Sequence, residues 1–319
     1  MHASYVIRRA LLVIPTVIGV TLFIFVVMRL VPGGIEYTIQ GAEQGGTLSR
    51  EDIQGLRAYY GLDDPIYVQY GRWITQLVRL DLGSSIYYST PVTELLKARV
   101  LPTLNLGVLA VIIAVLIGIP FGVVSAIRQD KWQDYVARLL AIGGLAVPSF
   151  WTGIMLVLVL LMFFNTSTPL RYYAPWQDLR ANMAMMLLPA LVLGTHMSAL
   201  TSRMTRSALL EVMREDYIRT ARSKGLGEGV VLRRHALRNA LLPVVTIVGL
   251  YVAHIAGGSV IVENIFNIPG MGSLLIWAVY HRDYPVIEAE LLVIAMAVAG
   301  TNLLVDLVYG WLDPRIRYG

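Results

Sequence analysis

The feature that most constrains this chain is the recurrence of apolar runs long enough to cross a lipid bilayer. A hydrocarbon core of about 30 Å takes roughly 20 helical residues. Lipid offers no partner to a backbone N–H or C=O, so a spanning run must be a helix that satisfies them internally. Six such runs are read, at 10–31, 100–127, 135–164, 183–209, 241–262 and 286–312. Composition agrees with that count. The chain is 56% hydrophobic and only 15% charged, with a mean hydropathy of +0.63, whereas soluble domains carry about 25% charged residues. The expected fold class is therefore all-α, a polytopic membrane protein with six transmembrane helices. The first run follows Arg8-Arg9 and is longer than the 7–15-residue core of a secretory signal, so it is read as an uncleaved span with its N-terminus inside.

Charge fixes the orientation. Sixteen of the 26 Lys and Arg lie on the assigned inner side, but only 8 of the 21 Asp and Glu do. That excess is what the positive-inside rule demands, and it places both termini in the cytoplasm. It also accounts for the net charge of +5 without nucleic acid, whose binders gather charge on one soluble face. The chain has no cysteine, which removes disulfides, iron–sulfur clusters and thiol chemistry.

Between the first two runs, residues 35–98 are polar and read as external. Ser49 and Asp52 frame one helix start, and Asp64-Pro65 starts another whose apolar stripe is Ile66, Tyr70, Trp73, Ile74 and Leu77. That stripe suits the membrane surface, the spans or a partner equally. Thr90-Pro91 opens a third helix leading inward. Tyr172, Tyr173 and Trp176 are aromatics of an external interface. Ile268-Pro269-Gly270-Met271-Gly272 reads as a turn of fixed shape before a helix.

The polar run between the fourth and fifth apolar segments is 215–243, EDYIRTARSKGLGEGVVLRRHALRNALLP. Tyr217, Ile218, Ala221 and Leu226 can share one face of a short helix over 217–224, with Arg219, Arg222 and Lys224 on the others. Gly225 can take the left-handed conformation that ends a helix. Such a segment is either a docking element or a solvated basic loop.

The strings YIRTARSKGL and RRHALRNALLPVVT resemble the cytoplasmic loop of ABC-importer permeases of the dipeptide, oligopeptide and nickel branch. RRALLVIPTVIGVTLFIFVVMRLVPGG and GLDDPIYVQYGRWITQLVRLDLGSS are similar to the opening and the external segment of the same family. Arg219 and Thr220 stand where the general pattern has Glu and Ala, and His235-Ala236-Leu237-Arg238 where it has Ile-x-Leu-Pro. The resemblance implies a type I importer core in spans two to six. It makes the short helix a coupling helix, seated in a groove of an ATPase subunit, with Ala221 facing that groove. It implies an N-terminal span (1–34), an external segment (35–98), a five-helix core (99–312) containing the coupling loop 210–240, and a tail (313–319). The implied partners are a second homologous permease subunit, two cytoplasmic ATPases that use ATP and Mg, an external solute-binding protein, and membrane lipid. The implied cargo is di- or oligopeptide, or else nickel, glutathione or oligosaccharide on the same machinery.

No catalytic motif competes. There is no Gly-Lys pair for a phosphate loop, no HExxH and no GxSxG elbow, so neither an enzyme nor a bound cofactor or metal is expected. Polar residues inside the apolar runs carry more information, because hydrocarbon makes them costly. His196, His254, Ser259 and Asn302 are the candidates for a hydrated translocation path, with Asp306 near the inner end. The alternative use of the same groups is hydrogen bonding between helices, with Gly249, Gly257, Gly258 and Gly300 allowing close approach. An ion-driven secondary carrier would call for broken helices in repeated halves and a midplane carboxylate pair, which are not read here. A membrane scaffold would leave the polar residues of spans four to six without a role.

Overall fold

A computed structural model describes residues 3–30, 63–166, 169, 171–256 and 260–312. The expected helix framed by Ser49 and Asp52 lies outside the described residues, as does Ser259.

Helix α1 spans Ala3–Leu30 and α2 spans Ile66–Val78. The apolar stripe of α2 settles on α1. Tyr70 and Trp73 pack at 5.2 Å and 5.8 Å from the Phe25 ring, and Tyr70 Oη shares a 3.0 Å hydrogen bond with Thr21 Oγ1. Ile66, at the start of the stripe, stays exposed.

Helix α3 runs unbroken over Val92–Ile127, so the helix expected after Thr90-Pro91 and the second span are one element. Pro102 and Pro120 are carried inside it, as neighbouring helices in a membrane allow. At 1.5 Å per residue its 36 residues reach about 54 Å, well beyond one hydrocarbon core. Its neighbour α6 covers Leu179–Val212, and the two form the central pair. Small residues let their backbones touch. A Cβ on Gly122 would lie 2.5 Å from the Ser202 carbonyl, and one on Gly194 would lie 2.7 Å from Ile113 Cβ. These glycines, rather than Gly300, whose Cβ would meet nothing within 4 Å, mark the close approach.

The third apolar run is not one rod. Helices α4 (Trp132–Ala146) and α5 (Ser149–Phe164) meet at 93°. Pro148 cannot donate its nitrogen to the helix and drives Val147 to an extended conformation, φ −89° and ψ 120°. The fifth run begins at a bend. After the short helix α7 (Asp216–Ser223), helix α8 (Glu228–Ala240) passes into α9 (Leu242–Ala256) at 46°, and α10 (Val260–Ile265) is the next described element. Helix α11 (Met271–His281) begins at the expected turn, and α12 (Tyr284–Leu312) closes the chain.

Among the described residues four single helices are long and apolar enough to span, and each bent pair counted as one span brings the number to six. Three apolar clusters knit the described residues. One lies around Ile24, Val92 and Leu274 at one end of the bundle, one around Leu106, Met185 and Phe266, and one around Leu209, Ile218 and Val231 at the other end.

Candidate functional site

The predicted docking element is present as α7, shifted one residue toward the N-terminus. Its C-terminus closes as the chemistry of Gly225 requires. Gly225 has φ +80°, its N–H donates to the Arg222 carbonyl at 2.9 Å, and the Leu226 N–H donates to the Ala221 carbonyl at 3.4 Å. This pair of bonds around a left-handed glycine is a Schellman termination.

The faces of α7 divide differently from the expectation. Ile218 is 0% and Ala221 6% exposed, and both pack on Leu209, Val231, Ala236 and Ala240 of the chain itself. Ala221 therefore faces inward, not toward a groove on another protein. Its small side chain suits the close packing of α7 on α8. The outward surface is formed by Tyr217, Arg219, Arg222, Lys224, Gly225 and Leu226. Among these, Arg219 reaches Asp216 at 3.3 Å, and Arg222 pairs with Glu228 at 2.7 Å. Beneath the turn lies a cleft of about 520 Å³ between Ile127, Leu210, Met213 and Leu232, roofed by that Arg222–Glu228 pair.

Of the path candidates, the side chains of His196 and Asn302 lie among the described residues. His196 is half-buried, and its Nδ1 lies 2.9 Å from the Gly144 carbonyl, tying α6 to α4. Asn302 is exposed on α12. His254 sits in α9, with its side chain outside the described residues. His196 thus makes the helix-to-helix bond that the alternative use of such residues calls for.

Four carboxylates are fully buried among the described residues and were not read from the sequence as site residues; Glu290 is one, and the other three, Asp134, Glu263 and Asp283, hold elements together. Asp134, fully buried near the inner end of α4, accepts from Arg206 Nε and Nη2, both at 2.8 Å, and from Ser125 Oγ. This fastens α3, α4 and α6 together close to α7. At the other end Glu263 accepts from Thr103 Oγ1 at 2.8 Å and from the Ser273 N–H at 3.1 Å, while Thr103 Oγ1 accepts from the Met271 N–H at 2.8 Å. Together they satisfy orphan donors at the start of α11. Asp283 accepts from Ser85 Oγ and from the Ile86 and Tyr87 N–H groups, pinning the 85–87 turn to the far end of α11. Arg206, Thr103 and Ser85 lie 72, 160 and 198 residues from their acids, so periodicity carries no trace of these pairings. An acid inside or beside an apolar run was the available signal.

Residues 118–318 match the family model described as the binding-protein-dependent transport system inner membrane component. The chain belongs to this family. It is similar along nearly its whole length to characterised relatives. It is 42% identical to the dipeptide transport system permease protein DppB of Escherichia coli (strain K12), over 99% of each chain. It is 42% identical to the oligopeptide transport system permease protein AppB of Bacillus subtilis (strain 168), over 99% of this chain and 100% of that one. The glutathione transport system permease protein GsiC of Salmonella typhi is 38% identical over 99% of each chain. Among solved structures, the chain superposes on the MetNI methionine ABC transporter in inward-facing conformations. The TM-score is 0.56 at 17% identity, covering 69% of this chain and 97% of that one. The fold is that of an ABC-importer permease, and this family member is a multi-pass membrane permease component.

Proposed function

We propose that this permease forms one half of the path of an ATP-driven importer for short peptides. The observation that carries this reading is the near full-length identity to permeases named for dipeptide and oligopeptide transport. Glutathione, named for a third relative, is itself a peptide, so the three names share amide-linked cargo with charged ends. The second half of the path is a homologous permease subunit, and an external solute-binding protein delivers the cargo. ATP and Mg are used by two separate ATPase subunits on the cytoplasmic side. This chain supplies α7 as their docking element and contributes no catalytic group of its own. The basic residues around α7 support the placing of that side, and with it both termini, in the cytoplasm. His196, His254, Ser259 and Asn302 are proposed to approach the hydrated path when the two permease subunits assemble.

The test is uptake into proteoliposomes holding the permease pair, with the ATPases and the binding protein of the same system. The reading requires labelled dipeptide to enter only with ATP inside the ATPase compartment, and to be indifferent to ionophores that collapse proton and sodium gradients. Uptake by the permease without ATPase, driven by an ion gradient, would overturn it in favour of a secondary carrier. Leucine at His196 separates the two uses of that residue. Transport falling while assembled complex keeps its thermal stability marks a path group, and both falling together marks a helix tie.

A further inference from the structure

From the end of α7 into the first residues of α8 runs the sequence Gly225-Leu226-Gly227-Glu228-Gly229. Glycine usually earns such a place by close packing, but not here. A Cβ on Gly225, Gly227 or Gly229 would meet nothing within 4 Å. Gly225 has its positive φ to justify it. Gly227, at φ −63° and ψ 146°, lies in a region open to any residue, and Gly229 lies within a helical segment. By its backbone this joint is loose, because glycine leaves the most conformational freedom to be lost.

Two side-chain struts cross the joint. Arg222 of α7 grips Glu228 of α8 through two bonds, Nε to Oε1 at 2.7 Å and Nη2 to Oε2 at 3.2 Å. Asn239, near the far end of α8, donates from Nδ2 to Tyr217 Oη near the start of α7 at 2.8 Å. The struts flank the buried seam of Ile218 and Ala221 on Val231, Ala236 and Ala240. Helix α8 itself carries a six-residue π-helical stretch, Val231–Ala236, a geometry found mostly at functional positions. It then bends by 46° at Leu241 where α9 begins.

We infer that Glu228 and Asn239 are positioning residues that lock the glycine joint, so that α7 and α8 move as one lever about the Leu241 bend and convey displacement into α9. The inference rests on α7 being the ATPase-docking helix. Without the struts, displacement of α7 is absorbed in the glycines. ATP is then hydrolysed without an equal amount of cargo entering. The two residues act through α7 and touch neither nucleotide nor cargo.

The experiment measures cargo imported per ATP hydrolysed in the complete reconstituted complex, with a labelled dipeptide and the solute-binding protein of the same system. Glu228→Ala combined with Asn239→Ala is expected to lower that ratio at least fivefold, with stimulated ATP hydrolysis and subunit stoichiometry as in the wild type. Two second variants separate a joint from a direct contact. Exchanging the charges, Arg222→Glu with Glu228→Arg, restores the strut and is expected to restore the ratio. Gly227→Ala with Gly229→Ala stiffens the joint without any strut and is expected to recover at least half of the loss. An unchanged ratio in the Ala pair overturns the inference. So does a ratio that falls and is rescued by neither device, since the side chains would then act on the ATPase itself. If the Ala pair fails to assemble, Gly227→Ala with Gly229→Ala in the wild-type background decides alone. An equal or higher ratio supports a joint that must be stiff, and a lower one overturns it. A wild-type complex that hydrolyses ATP without importing dipeptide would count against the proposed function rather than against the joint.

Discussion

The two ends of this molecule are fastened by different chemistry. At the outer end α11 is pinned at both termini by carboxylates that are fully buried, Glu263 at its start and Asp283 just past its end. The glycines there have no room. A Cβ on Gly270 would lie 2.4 Å from Glu263 Oε2, and one on Gly272 would lie 2.5 Å from Val260 Cα. At the inner end α7 is joined to α8 through glycines with open space around them, and it is fastened by exposed side chains over a narrow apolar seam. A buried carboxylate that accepts from backbone N–H groups cannot release them without leaving polar groups unpaired, so it fixes one geometry. An exposed ion pair is worth about 0–1 kcal/mol, so it sets the register of two helices while adding little to the stability of the fold. The end around α11 is fastened to keep its shape, and in the proposed mechanism the end around α7 is the one that is moved.

The contrast can be broken in graded steps. The largest effect is expected from Asp283→Ala, which strands Ser85 Oγ and the Ile86 and Tyr87 N–H groups. A loss of roughly 3 kcal/mol should follow, read as a lower thermal midpoint of the assembled complex. Gly272→Ala comes next. Its Cβ meets backbone that cannot swing aside, and about 1–3 kcal/mol of overpacking is expected in the same measurement. At the inner end the effects shrink and change sign. Gly227→Ala should raise stability by up to about 1 kcal/mol, since it removes freedom from the unfolded chain at a conformation alanine accepts. Arg219→Ala, on the outward face of α7, should change stability by less than about 0.5 kcal/mol. Any effect it has should appear in ATPase association instead. An Asp283→Ala complex as stable as the wild type, or a Gly227→Ala complex less stable than Gly272→Ala, would dissolve the distinction.

How far the sequence reached follows the same division. Local signals were legible. The apolar runs gave the membrane fold, Asp64-Pro65 announced α2, and Gly225 marked the end of α7 and has the positive φ its position required. Signals that depend on a distant partner were not. Asp134 and Arg206 are 72 residues apart, and Ser85 and Asp283 are 198 apart. Ser85 reads as an exposed loop residue, suited to cysteine labelling from outside, yet it is 2% exposed and bonded to Asp283. Exposed Ser84 serves that purpose instead. Ala221 was read outward because a short helix shows which residues share a face but not which face is covered. The covering residues, Val231, Ala236 and Ala240, come from the helix on the far side of the glycine joint. The 93° turn at Pro148 was likewise hidden, since membrane helices often absorb a proline, as α3 does twice.

The most direct test of the account is a pair of distances in the reconstituted complex, measured between spin labels as ATP binds. One pair joins Ser223→Cys on α7 to Arg234→Cys on α8, and the other joins Ser223→Cys to Ser84→Cys in the outer turn; all three positions are exposed. The account predicts that the α7–α8 distance stays fixed to within the width of its distribution while the α7-to-outer-turn distance shifts. An α7–α8 distance that changes on ATP binding while the α7-to-outer-turn distance stays fixed would contradict it, because the movement would then end in the glycine joint and never reach the spans.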